Sequence, residues 1–180
     1  MDPPSHLLTS FTICVLLFLS SPSQADDESP SLENSSSKLV ISVCKETLNP
    51  SECEETLATI PKARTVRTLN ALAHLTLRLA VSYAKESLDF VNEMVKTNTS
   101  EPIKQCAFWY REVLASFQSA LGELHEDISS ANYDIKVAGD NSDSCEEGLA
   151  KLPVPSLTAR NAQIKLYSSI GFVITSRMDV

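Results

Sequence analysis

Residues 102–128, PIKQCAFWYREVLASFQSALGELHEDI, carry the clearest periodic pattern in the chain. Apolar residues recur every three to four positions, which is the spacing of one face of an α-helix. That face comprises Ile103, Cys106, Tyr110, Val113, Phe117, Ala120, Leu124 and Ile128. Pro102 stands at the start, where a missing backbone N–H costs nothing. The stretch therefore predicts a long amphipathic helix that buries one side.

The pattern repeats upstream, in residues 65–96, which contain neither glycine nor proline. The face predicted to be buried comprises Leu69, Leu72, Thr76, Leu79, Tyr83, Ser87, Phe90 and Met94. At 1.5 Å per residue this second helix is about 45 Å long. Before it, residues 38–48 and 51–60 predict two short helices joined at Asn49-Pro50, neither long enough to be stable alone.

Downstream, the helical signal weakens in residues 133–152. Gly139-Asp140-Asn141-Ser142 is a poor helix interior, so we expect a shorter or broken helix there. Pro153-Val154-Pro155 is expected to form a loop, and Ser156 can cap a final helix. The buried face predicted for that helix comprises Ala159, Ala162, Leu166, Ile170 and Val173.

Four helical segments with single apolar faces must bury those faces against one another. The sequence therefore predicts an all-α fold, an up-down-up-down four-helix bundle with an N-terminal helical hairpin. The chain has only four glycines in 180 residues, which argues against a fold rich in β-hairpins.

The first 25 residues are expected to be a signal peptide. An apolar run spans residues 11–19, and the small residues Ser23 and Ala25 precede an acidic segment. The run is shorter than the roughly 20 residues of a membrane-spanning helix, which disfavours the alternative of an anchor. Residues 26–37 (DDESPSLENSSS) are acidic and serine-rich and predict a disordered lead-in. Residues 38–180 then form the folded domain.

Removal of residues 1–25 would leave four cysteines, an even number that predicts two disulfides in an oxidising compartment. Three pairings are possible. The local pair Cys44–Cys53 is favoured because Asn49-Pro50 turns the chain back between them, and Cys106 would then pair with Cys145. A zinc site would need closely spaced cysteine pairs or nearby histidines, which the sequence lacks. No metal or cofactor is expected.

Composition excludes several functions. The net charge of −8 argues against binding to nucleic acid or to an anionic membrane. After signal removal only His74 and His125 remain as histidines, and both fall on polar positions expected to be solvated surface. The adjacent pairs Glu54-Glu55 and Glu146-Glu147 would diverge on a helix rather than meet as a catalytic pair. The sequence therefore predicts a protein that is not an enzyme.

Four short motifs resemble those of the plant invertase/pectin methylesterase inhibitor family. They are residues 43–47 (VCKET) with Cys53 following, 102–106 (PIKQC), 142–148 (SDSCEEG) and 157–161 (LTARN). The resemblance implies a four-helix bundle with a helical hairpin, disulfides in first–second and third–fourth order, and no catalysis. It also implies that the protein binds an invertase (β-fructofuranosidase) or a pectin methylesterase one-to-one and covers the active-site cleft.

The choice of target stays open, with a lean toward invertase. Residues 106–110 (CAFWY) and 145–147 (CEE) are similar to the invertase-inhibitor branch. That branch can carry a Pro-Lys-Phe element before the fourth cysteine, where this chain has Asn132-Tyr133-Asp134-Ile135. Tyr133 and Asp134 are therefore candidate target-binding residues, as are Phe108 and Trp109 because aromatic residues off the buried stripe are enriched at interfaces.

The resemblance implies secretion to the cell wall (apoplast), with the vacuole as a second location. Asn34 and Asn98 lie in N-glycosylation sequons. A different function class is a secreted helical signalling ligand or a small-molecule carrier; the carrier would need an apolar internal cavity of roughly 300 Å³ or more.

Overall fold

The computed structural model describes residues 38–178; the expected signal peptide and lead-in lie outside the described residues. Helices make up all the regular structure in this part of the chain. Their bounds are α1 Lys38–Cys44, α2 Pro50–Ala58, a 3-10 turn Pro61–Arg64, α3 Leu69–Thr97, α4 Glu101–Glu123, α5 Ile128–Gly148 and α6 Pro155–Ser176. Each of the four long helices packs against two others, α3 and α5 each against α4 and α6. The all-α bundle predicted from the sequence is confirmed.

The N-terminal hairpin is formed by α1 and α2, both of which contact α6. A disulfide joins Cys44 at the end of α1 to Cys53 in α2, and a second joins Cys106 in α4 to Cys145 in α5. This is the pairing expected from the sequence. One disulfide therefore closes the hairpin and the other ties two helices of the bundle.

Side-chain caps fix where several helices begin. The side-chain oxygens of Asn49, Thr68 and Asp127 accept backbone N–H groups in the first turns of α2, α3 and α5. The predicted cap at Ser156 is wrong. Helix α6 begins at Pro155, whose fixed φ suits the first helical position, so Ser156 already lies inside the first turn.

The apolar stripe of α4 was predicted correctly from Ile103 to Leu124, and every member of it is buried. Its largest side chains, Tyr110 and Phe117, fill the bundle core. Ile128, the last residue assigned to the stripe, instead begins α5.

The break expected in residues 133–152 is wrong, because α5 runs unbroken through Gly139-Asp140-Asn141-Ser142. The Ser142 hydroxyl donates to the Gly139 carbonyl at 2.8 Å, so this buried polar group is satisfied within the helix. Gly139 is buried against Ser168 of α6, whose hydroxyl donates to the Ile135 carbonyl. This packing outweighs a helix-propensity cost of about 1 kcal/mol.

The buried face of α6 was only partly predicted. Leu166 and Ile170 are buried and Val173 is half-buried, but Ala159 and Ala162 are exposed. The helix contacts α3, α5 and the hairpin. Its buried arc is therefore wider than one stripe, and it includes Leu157, Asn161, Ile164, Tyr167, Ser168, Gly171, Ile174 and Thr175.

Two glycines in helices give opposite predictions. A methyl group at exposed Gly122 of α4 would meet nothing within 4 Å, whereas at Gly139 it would lie 2.6 Å from the Ser168 hydroxyl oxygen. We expect Gly122→Ala to raise the free energy of unfolding by about 0.5–1 kcal/mol. Gly139→Ala should lower it by about 1–3 kcal/mol because the core is overpacked. Urea unfolding of both variants measures the difference, and equal stabilisation by the two would contradict the close α5–α6 packing.

Candidate functional site

Two of the candidate residues, Phe108 and Trp109, lie near the N-terminus of α4. Their rings meet edge to face with centroids 4.9 Å apart, and the Arg111 guanidinium lies 5.8 Å from the Phe108 ring centre. Trp109 is half-buried and packs against the core, while Phe108 is exposed. This pair sits close to the disulfide at Cys106.

The other two candidates, Tyr133 and Asp134, lie in the first turns of α5. They precede Cys145 by more than ten residues, which places them about 17 Å from that disulfide along the helix axis. Tyr133 is 66% exposed and Asp134 is half-buried. The four candidate residues therefore form two separate sites and not one.

A groove lies between α5 and α6 and is closed at one end by the hairpin loop. We call it the α5–α6 groove; its volume is about 380 Å³. The lining residues are Glu46, Leu48, Lys136, Gly139, Asp140, Asp143, Lys165, Ser168, Ser169, Phe172 and Val173. Lys136 bonds Asp140 at 2.6 Å and Lys165 bonds Asp143 at 2.8 Å, so the groove carries two ion pairs among its apolar side chains.

Two exposed apolar side chains, Leu48 and Phe172, line this groove. Leu48 is 85% exposed at the tip of the hairpin, and Phe172 is 41% exposed on α6. Tyr133 stands one helical turn before Lys136, which lines the groove. The Leu48 backbone N–H donates to the Ser169 hydroxyl at 3.3 Å, which ties the hairpin loop to α6. Exposed apolar residues grouped in this way are typical of an interaction surface.

Leu48 and Phe172 are not among the residues predicted from the sequence to bind the target. Leu48 immediately precedes Asn49-Pro50, and a leucine at a turn is a signal that could have been noticed. Phe172 lies two residues after Ile170, on another side of α6. Their proximity depends on how the hairpin packs on α6, which no local pattern reports.

The other edge of this surface is acidic. Asp134 lies beside Glu123 at the end of α4, and Asp127 is also near. Partial burial, followed by the negative charges of Asp134 and Asp127, raises the pKa of Glu123. Hydrogen bonds from Ser130 lower the pKa of Asp127. Tyr133 therefore stands next to a patch of concentrated negative charge.

This raised pKa predicts a pH-dependent stability. A carboxyl group whose pKa is higher in the folded protein contributes stability below its unfolded pKa and loses that contribution as the pH rises through the folded pKa. We expect Glu123→Gln to raise the unfolding midpoint at pH 7, and the gain to vanish below about pH 4. Thermal unfolding at both pH values tests this, with exposed Glu112→Gln as the control. A gain that is the same at both pH values would rule out the charge explanation.

The two histidines contact each other and are not separate surface groups as expected. His74 Nε2 of α3 lies 2.7 Å from His125 Nε2 in the α4–α5 turn. Burial, His125 and Arg78 lower the pKa of His74. Within residues 38–178, no three side chains of histidine, cysteine, aspartate or glutamate are placed to hold a metal ion. The helices of that same part of the chain include none long and apolar enough to cross a membrane.

A buried polar network stiffens the bundle beside the Cys106–Cys145 disulfide. The Tyr110 hydroxyl donates to the Asn161 side-chain oxygen at 2.8 Å, and the Asn161 amide donates to Glu146 at 2.7 Å. The Thr158 hydroxyl donates to the other Glu146 oxygen at 2.8 Å. Burial raises the pKa of Tyr110, so the phenol stays protonated. Glu146 is therefore a structural residue that links α5 to α6.

Comparison with known proteins gives consistent matches. The sequence model of the family described as "Plant invertase/pectin methylesterase inhibitor" matches residues 38–172. A protein of Platanus acerifolia named "Putative invertase inhibitor" is 25% identical over 130 residues, which cover 68% of this chain and 72% of the relative.

Two solved structures share the fold. The crystal structure of a pectin methylesterase inhibitor from Arabidopsis thaliana has a TM-score of 0.59 at 24% identity, with 77% of this chain and 94% of the other covered. A mutant form A of a pectin methylesterase inhibitor from Arabidopsis has a TM-score of 0.60 at 26% identity, with coverages of 79% and 97%.

Proposed function

Since this chain belongs to the plant invertase/pectin methylesterase inhibitor family, whose members are non-catalytic protein inhibitors, we propose that it binds its target enzyme one-to-one and covers the active-site cleft. The inhibitor role replaces the alternative of a signalling ligand. The carrier alternative finds no support either, because the α5–α6 groove is open to the surface and is not an internal cavity.

One observation carries the assignment of the contact surface. Leu48 and Phe172, two of the four exposed large apolar residues in the described part of the chain, line the α5–α6 groove. A third, Tyr133, lies on α5 one helical turn before Lys136, which also lines the groove. Blocking a cleft requires a rigid surface of roughly 800 Å² per partner, with a few apolar or aromatic anchors at its centre. We infer that this surface, with acidic Asp134 at its edge, contacts the enzyme, and that Phe108 and Trp109 do not.

An acid invertase is the first target we propose. The sequence of residues 106–110 favours it, and the Platanus relative carries the name of an invertase inhibitor. The absence of the Pro-Lys-Phe element leaves Tyr133 as the aromatic anchor in that region. Pectin methylesterase is the second target, which the same experiment addresses.

The test is inhibition by purified protein comprising residues 26–180. We expect stoichiometric loss of sucrose hydrolysis by an acid invertase at acidic pH, competitive with substrate and without turnover of the inhibitor. A parallel assay measures release of methyl groups from pectin by a pectin methylesterase. Oxidised, folded protein that inhibits neither enzyme at micromolar excess would contradict the proposal.

We also propose that the protein is secreted to the cell wall, with the vacuole as the alternative, after cleavage behind Ala25 and glycosylation at Asn98 and Asn34. Asn98 is exposed at the end of α3, where its side-chain oxygen accepts the Ser100 backbone N–H at 3.1 Å. Mass spectrometry of plant-secreted protein should show an N-terminus at Asp26 and a mass loss at Asn98 after glycosidase treatment. An intact N-terminal apolar run or unmodified sequons would contradict this proposal.

A further inference from the structure

The basic residues of this acidic protein are unevenly distributed. The chain has a net charge of −8, yet the 30 residues from 56 to 85 contain no aspartate or glutamate. The same residues include five basic side chains, Lys62, Arg64, Arg67, Arg78 and Lys85. The positive charge of this region contrasts with the net negative charge of the whole chain and favours an anionic partner.

The structure gathers part of this charge around one cleft of about 490 Å³ at the start of α3. We call it the basic cleft. Exposed Lys62 and Arg78 line it together with His74, and its apolar wall consists of Val66, Ala71 and Leu75. Neither cation makes an ion pair with a carboxylate within residues 38–178. Both are therefore available to a ligand.

The backbone adds to the positive potential of the cleft. Ala71, in the first turn of α3, lines it, and that turn contains no acidic residue. The N-terminus of a helix carries partial positive charge from its unpaired N–H groups. On the far side, the His74–His125 contact brings the α4–α5 turn close to His74, and acidic Glu126 and Asp127 follow His125 in that turn. The cleft is thus cationic on the side of α3 and the 3-10 turn, with acidic residues in the neighbouring α4–α5 turn.

We propose that the basic cleft binds the carboxylates of an acidic polysaccharide, a polyuronate chain. Lysine and arginine pair with carboxylates, and the apolar wall suits the C–H faces of sugar rings. The lining of the cleft includes no phenylalanine, tyrosine or tryptophan on which nucleobases could stack, and its one large aliphatic residue, Leu75, is half-buried in the wall and not presented to a bilayer. These features favour a carbohydrate over a nucleic acid or a membrane.

This inference rests on the second target of the proposed function, pectin methylesterase, for the source of the ligand. A pectin methylesterase removes methyl esters and leaves free carboxylates on its polymer, so its product is a polyuronate. An inhibitor that binds this product would be concentrated where demethylation has already occurred. The basic cleft lies at the start of α3, whereas the α5–α6 groove is lined by other elements, so the two could be occupied together.

The experiment is native affinity electrophoresis of the protein in gels that contain polygalacturonate. We expect wild-type protein to be retarded, and Lys62→Glu with Arg78→Glu to bind about tenfold more weakly or worse. The control, Lys104→Glu with Lys151→Glu, changes the net charge equally at exposed positions outside the cleft and should bind within about twofold of wild type. The single variant Lys62→Gln should bind polygalacturonate more weakly than wild type and more tightly than the double cleft variant. Circular dichroism of each protein checks that it is folded.

Several results would overturn the inference. They are equal retardation of the cleft variant and the control, equal retardation in fully methyl-esterified pectin, and binding to phosphatidylserine vesicles without binding to polygalacturonate. Enzyme inhibition is measured separately on sucrose, a neutral small substrate, and should be the same for the cleft variant and wild type. Failure of wild-type protein to inhibit either invertase or pectin methylesterase would therefore reject the proposed function without altering the result of the electrophoresis.

Discussion

Replacing Tyr133 by alanine is expected to weaken inhibition of the target enzyme by about thirtyfold or more, a loss of about 2 kcal/mol in binding free energy. Tyr133 is exposed on α5, one helical turn before Lys136 of the α5–α6 groove, and contributes little to the core. Its removal should therefore leave the circular dichroism spectrum and the unfolding midpoint unchanged. The measurement is the inhibition constant at acidic pH, against whichever enzyme the wild-type protein inhibits.

Phe108 provides the matched control for this prediction. It is also an exposed aromatic residue, but it lies on α4 near the Cys106–Cys145 disulfide, at a separate site. Phe108→Ala should change the inhibition constant by less than about twofold. A large effect of Phe108→Ala with a small effect of Tyr133→Ala would move the contact surface to α4.

Removing each disulfide in turn is expected to rank the two variants differently by stability and by inhibition of the target enzyme. By the chain-entropy argument, replacing Cys106 and Cys145 by alanine should lower the free energy of unfolding by about 4 kcal/mol, and replacing Cys44 and Cys53 by about 3 kcal/mol. These losses are upper values, but they are large relative to the total free energy of unfolding of a typical domain, about 5–15 kcal/mol. Urea unfolding of the two double variants measures both losses.

We expect the loss of inhibition to follow the opposite order, with the larger loss in the variant that lacks Cys44–Cys53. Leu48 lies in the loop that the Cys44–Cys53 disulfide closes, and that loop forms one end of the α5–α6 groove. The variant lacking this disulfide should remain folded and yet inhibit more weakly than the variant lacking Cys106–Cys145. If the second variant is the weaker inhibitor under conditions where both are folded, the hairpin loop is not part of the contact surface.

Sequence periodicity predicted the face of α4 well because that helix presents one narrow apolar stripe. For α3 it was only partly right: the predicted Leu72, Thr76 and Ser87 are buried, but Leu69, Leu79, Tyr83, Phe90 and Met94 are half-buried. The buried side of α3 also includes Ala73, Leu77, Ala80, Ala84 and Val91, which the pattern missed.

The sequence wrongly predicted a break in α5. The low helix propensity of Gly139 is compensated there by close packing against Ser168 of α6. The periodicity also misplaced part of the α6 face, since this helix packs against three neighbours. A local sequence pattern identifies a single buried helix face well. It does not show where packing against a distant segment compensates for a residue of low helix propensity.

The candidate site was predicted less completely than the fold. Tyr133 was identified because the family's Pro-Lys-Phe element is missing from its region, and it is indeed exposed. Leu48 and Phe172 could not be grouped with it without knowing that the hairpin packs on α6. The His74–His125 contact was missed for the same reason, because its two members come from different elements.

The covalent closure of the hairpin has a consequence for how such proteins can diversify. Residues 45–48 lie between a fixed helix end and a disulfide-bonded helix. Thr47 is buried and its hydroxyl donates to the Cys44 carbonyl, but Lys45, Glu46 and Leu48 are exposed. Changes there would reshape one end of the groove while the four-helix scaffold keeps its packing. Substitutions in this loop, whether natural or from a combinatorial library, can therefore alter target preference while the four-helix fold stays stable.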